Sequence, residues 1–128
     1  MNILLIIGSH LRHKKFLETI SSNIKISGVI IEEREDSNPD SSFIKNKIDK
    51  KNFIRHFENR ELAEKKYFKI NQKKIINDIF FIKNIKTDQG ICKKILKKIK
   101  PNIIFTFGVS FIPSSLFRLM PKYSINLH

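Results

Sequence analysis

Short apolar runs alternate along this chain with longer stretches of helical period. Asn2 to Ile7 is continuous, branched and short, the pattern of a strand buried on both faces. Gly8-Ser9 breaks it. Leu11 to Ser21 predicts a helix with Leu11, Phe16 and Ile20 on its core side. A second strand falls within Ile24 to Glu32, centred on Gly28-Val29-Ile30-Ile31. Strand, helix and strand within about thirty residues make a βαβ unit, normally a right-handed crossover.

Glu32 to Asp40 is polar, contains Pro39 and reads as loop. Lys45 to Lys74 reads as a long helical insertion, with Phe53, Phe57, Glu64 and Phe68 as an interrupted stripe. Ile79 to Ile82 is a short strand. Thr87 is placed to cap a helix running to about Lys98. Ile91, Ile95 and Ile99 lie along one side of it, with Lys93, Lys94, Lys97 and Lys98 away from that side. Pro101 stops the helix, Ile103 to Phe107 is a buried strand, and Gly108 ends that strand. Pro113 opens a short helix, Ser114 to Leu119, and Ser124 to His128 is the final strand.

This order predicts an α/β fold, a mostly parallel sheet with helices on both faces. Ligands of such sheets bind beyond the carboxyl ends of the strands. Three features fall at such ends: Gly8-Ser9-His10, Gly108 to Pro113, and Asn126 with His128. Asn126 and His128, two apart on a strand, share a face with Cα atoms about 6–7 Å apart. One offers a fixed hydrogen-bond donor and the other a proton carrier near neutral pH.

The 128 residues suffice for one domain, residues 1–128, with the insertion at about 33–74. A net charge of +13 and a pI near 10.0 raise a second reading, a basic α/β module that binds RNA without catalysis. The excess is mostly Lys in a chain also rich in Ile and Asn, so A/T-rich codons account for it as readily as a binding surface. The Lys face of the Thr87 helix lacks interleaved aromatics for base stacking. Cys92, the only cysteine, excludes an intrachain disulfide and reads as packing. It fits a reducing cytosol. No apolar run approaches the roughly 20 residues of a membrane helix, and Ile3 to Ile7 is too short for a signal sequence. A cytoplasmic protein without membrane contact is expected.

Other motifs read more plainly. There is no dinucleotide fingerprint and no P-loop. Gly8-Ser9-His10 reads as a strand-to-helix turn, with phosphate binding at the helix N-terminus as the alternative. His56, Arg60 and Glu64 fall at i, i+4 and i+8, a surface ladder or else a polar rim reaching towards a substrate. His10 and His13 lack the spacing of a helical metal pair, and no metal site is expected.

The C-terminal third resembles the 10-formyltetrahydrofolate-dependent formyltransferases. The resemblance rests on Lys100-Pro101-Asn102-Ile103-Ile104-Phe105-Thr106-Phe107-Gly108, then Ile112-Pro113, then Ser124-Ile125-Asn126-Leu127-His128, with Asn84-Ile85 ahead of the Thr87 helix. It implies a Rossmann-like domain that passes a formyl group from 10-formyltetrahydrofolate to a primary amine. Asn126 and His128 would be catalytic, holding the formyl oxygen and moving protons respectively. Ser110, Phe111, Ile112 and Pro113 match the stretch lining the folate pocket, largely through backbone. Gly8 and Ser9 match the turn near the acceptor. The family's proline-containing loop and the Asp that orients its His fall beyond residue 128. The resemblance therefore implies a sheet incomplete at the C-terminus and a fragment inactive alone. Asn102 stands where the family more usually has Asp. The insertion leans towards members acting on amino sugars or other small amines rather than methionyl-tRNA.

Overall fold

Residues 1–34, 39–70, 76 and 78–127 are described by a computed structural model. Its elements are β1 (Ile3–Gly8), α1 (Leu11–Asn23), β2 (Gly28–Glu32), α2 (Lys47–Tyr67) and β3 (Ile79–Ile82), followed by α3 (Gln89–Ile99), β4 (Ile103–Phe107), α4 (Ser114–Phe117) and β5 (Tyr123–Leu127). The strands form one parallel sheet in the order β3-β2-β1-β4-β5. The fold is α/β and Rossmann-like. The chain builds outward from β1 through β2 to β3, then returns to lay β4 on the other side of β1. That reversal puts the topological switch point between the ends of β1 and β4, at Gly8 and Gly108.

Two apolar layers cover the sheet. Leu4, Ile6, Ile30, Ile82 and Ile104 meet α3 and α4 on one face. Ile3, Leu5, Ile7, Val29 and Ile31 meet Phe16, Leu17 and Ile20 of α1 on the other. The continuous apolar character of β1 and β2 follows, since both faces of each are buried. Asn102 closes the base of the sheet: its Oδ1 accepts the Asn2 N–H at 2.8 Å, while Asn2 Nδ2 donates to the Ile99 carbonyl. An Asp would accept the first bond equally well.

Three local expectations need correction. The side of α3 that packs is Cys92, Ile95, Leu96 and Ile99, a stripe of i, i+3, i+4 and i+7, whereas Ile91 is half exposed. Thr87 does not cap α3. Its hydroxyl donates to the Asn84 carbonyl, and Asp88 flanks the helix while its carboxylate accepts the Lys83 and Asn84 N–H groups. The last helix is a single turn ending at Phe117.

The predicted insertion helix is α2, the connection between β2 and β3. Asn46 caps it by accepting the Ile48 and Asp49 N–H groups at 2.8 and 3.2 Å. It ends at Tyr67, short of Lys74; residues 71–74 lie outside the described residues. None of its side chains is fully buried; Phe53, Phe57 and Glu64 are half-buried along it, and Phe68, the half-buried residue that ends the expected stripe, follows its last turn. It rests on α1, where Arg12 is ion-paired with Glu64. No described helix is long and apolar enough to cross a membrane.

Candidate functional site

Of the cavities at the carboxyl edge of the sheet among the described residues, two gather the polar residues of interest. The larger, of about 520 Å³, lies on the α3/α4 face and is lined by Thr106, Val109, Ser110, Phe111, Ile112 and Asn126 among others. The register that pairs Thr106 with Asn126 sets both on one face. The Thr106 hydroxyl donates to Asn126 Oδ1 at 2.8 Å, which fixes how the amide is turned. Ser110, Phe111 and Ile112 stand opposite, with Phe111 almost fully exposed. Pro113 is the N-cap residue of α4, where its carbonyl accepts the Leu116 and Phe117 N–H groups. His128 lies outside the described residues.

The loop after β4 is held by a residue that pattern reading assigned only to a strand end. Glu32, at the end of β2, is completely buried. Its Oε2 accepts the Ser110 N–H at 2.7 Å, and its Oε1 accepts the Ile85 N–H at 3.0 Å. The Ser110 hydroxyl also donates to it, and Asn84 Nδ2 reaches that hydroxyl. A buried carboxylate needs such donors. The available signal was a carboxylate closing an otherwise apolar strand.

At the switch point the decisive side chain is His13, 1% exposed in the first turn of α1. A Cβ built on Gly8 would meet its Nδ1 at 2.5 Å and the Gly108 carbonyl at 2.6 Å, and one on Gly108 would run into the same ring. Gly8 and Gly108 are therefore glycines because the imidazole occupies their side-chain space. Gly108 also has φ +65°, which L side chains rarely adopt. The ring stacks on His10 with centroids 5.5 Å apart and meets the edge of Phe107 at 4.8 Å. Burial first, then the charges of Arg12, His10 and Arg34, hold its pKa down at about 4, opposed only by the Gly8 backbone. It is neutral at neutral pH.

The chain matches no family model and no curated protein.

Of the residues singled out from sequence, Asn126 and Ser110 to Ile112 come together on one cavity. Gly8 and Ser9 lie apart from it. Gly8 is buried beneath His13, and the Ser9 hydroxyl accepts the Arg34 N–H at 2.9 Å, tying the turn after β1 to the segment after β2. Cys92 is buried in the core, where burial pushes its thiol up to about 11. Among the described residues no cluster of His, Cys, Asp and Glu is arranged to hold a metal ion.

The second cavity, of about 250 Å³, is lined by His10, Arg12, Arg34, Phe57, Arg60 and Gly108 among others. Of the sequence ladder on α2, His56 packs against Phe57, Arg60 faces this cavity and lies over the Phe57 ring, and Glu64 holds Arg12.

Proposed function

We propose that this chain carries the formyl-transfer half of a folate-dependent formyltransferase, moving a formyl group from 10-formyltetrahydrofolate to a primary amine. The observation that carries the reading is that Asn126 and the Ser110 to Ile112 stretch, far apart in sequence, line one cavity. Its volume falls within the roughly 300–1,000 Å³ usual for small-molecule sites. Val109, Ile112 and Met120 supply apolar wall for a flat heterocycle, and the Glu32 carboxylate keeps the loop in place. The amine nitrogen attacks the formyl carbon, and negative charge develops on the formyl oxygen. The Asn126 amide is the donor to that oxygen. The bond from carbon to the folate N10 then breaks, and N10 takes up the proton given up by the amine. His128 is the proposed carrier of that proton.

A small amine such as an amino sugar is the acceptor class we favour over methionyl-tRNA. A cytoplasmic setting fits the single free thiol. The RNA-binding alternative draws on net charge, and the α3 Lys face gives it little: Lys98 is engaged by Asp78 at 2.8 Å and lies over Phe80.

The test is a titration with the stable analogue 5-formyltetrahydrofolate, followed by amide chemical shifts. Saturable shifts centred on residues 109–112 and 126 are expected. No saturable binding, or shifts elsewhere, would contradict the reading. RNA binding that weakens steeply with salt would favour the alternative.

A further inference from the structure

The arginine-lined cavity has no part in formyl transfer as proposed above. Arg12 comes from the first turn of α1, Arg34 from the segment after β2, and Arg60 from α2. Three cations brought to one small cavity repel one another, so the fold opposes that repulsion with fixed pairs. Arg12 is held by Glu64, and Arg34 Nη1 lies 3.8 Å from Glu32 Oε2. Glu32 already accepts three hydrogen bonds from Ser110 and Ile85. Arg60 has no carboxylate partner among the described residues, and its guanidinium sits 4.5 Å from the Phe57 centroid. Stacking of that kind sets the guanidinium plane and leaves its N–H edges for another acceptor.

The surrounding backbone has the same sign. The cavity borders the N-terminus of α1, a helix of 13 residues with no acid in its first turn. It also borders Gly108 at the switch point, where ligands of such sheets bind. The buried imidazole of His13 is kept neutral partly by Arg12 and Arg34, as expected in a positive field. At about 250 Å³ the cavity is smaller than the roughly 300–1,000 Å³ of whole-ligand sites, so it suits one compact group of a ligand. Arginine forks match the oxygens of a phosphoryl group better than any other side chain.

We propose that His10, Arg12, Arg34 and Arg60 form a binding site for the phosphoryl group of a small molecule. The site needs no folate and stands whether or not the formyl-transfer reading holds.

The probe is inorganic pyrophosphate, titrated calorimetrically into the chain at physiological salt. Saturable one-site binding is expected. Arg60→Gln and Arg34→Gln should each weaken it roughly tenfold or more, the effect of losing a charged hydrogen bond. Arg60→Lys should recover only part of the loss, because the fork geometry is gone. Lys94→Gln with Lys97→Gln, on the far α3 face, should leave the affinity unchanged. No saturable binding would overturn the proposal. So would equal sensitivity to the Lys and Arg substitutions, which marks diffuse charge, or binding of a short single-stranded RNA where pyrophosphate fails.

Discussion

Glu32 and Ser110 are 78 residues apart in sequence, yet the Ser110 N–H donates to the Glu32 carboxylate at 2.7 Å and the Ser110 hydroxyl donates to it as well. The pair joins the end of β2 to the loop after β4, so the wall of the larger cavity depends on a buried anion from another strand.

Replacing Glu32 by Ala should leave the Ile85 and Ser110 N–H groups without their acceptor. A loss of about 1.5–3 kcal/mol in unfolding free energy is expected, as for bonds to a charged group. Urea denaturation measures it. Hydrogen exchange should show faster exchange at Ser110 than in β1. An unchanged stability would mean that the carboxylate is not the tether.

His13 makes stability depend on pH with a definite sign. Its folded pKa, about 4, lies below the ordinary 6.5, so the unfolded chain binds the proton more readily. The stabilisation is complete above pH 6.5, falls as pH drops towards 4, and levels off below that. The loss is about 3 kcal/mol at most, from the pKa difference. Thermal melts of the protein and of His13→Leu across this window should diverge in slope, with the variant flatter. Parallel slopes would exclude His13 as the source.

Gly108 and Gly90 should respond to Ala with opposite signs. At Gly108 the positive φ and the His13 ring both oppose a Cβ, and strain of that kind costs roughly 1–3 kcal/mol before the collision is counted. At Gly90, near the start of α3, a Cβ meets nothing within 4 Å. There Ala should stabilise by up to about 1 kcal/mol through helix propensity. Denaturant midpoints for the two variants check the contrast.

Cys92 should be inert while the protein is folded. Its thiol is buried and pushed up to about 11, so almost no thiolate exists at neutral pH. Reaction with an aromatic disulfide reagent should proceed only as fast as the core opens and should speed up in urea. Rapid labelling of the folded protein would contradict the packing of α3.

The fold was largely legible because each strand is a short apolar run bounded by a breaker. Ile79–Ile82 and Ile103–Phe107 have the bounds read from sequence, and the others differ by a few residues at most. The parallel sheet followed from the alternation of strands and helices. Side-chain detail was less legible where two periodic patterns compete. On α3, Ile91-Ile95-Ile99 looks apolar, but packing on the sheet selects Cys92 and Leu96 and leaves Ile91 out. Of the candidate site, Asn126 and Ser110 to Ile112 were readable as strand-end features. Glu32 and His13 were not, because their roles come from contacts with Ser110, Gly8 and Gly108 that no local spacing encodes. The Arg12, Arg34 and Arg60 grouping likewise exists only once α2 lies on α1.

The most direct test of formyl transfer is turnover by the native gene product with 10-formyltetrahydrofolate and a panel of small amines. Release of tetrahydrofolate should be matched by the formylated amine in mass spectra. The account predicts folate-dependent transfer that Asn126→Ala lowers by about 10²–10³, the loss expected for one oxyanion donor. Transfer that Asn126→Ala leaves unchanged, or no transfer to any amine in the panel, would contradict it.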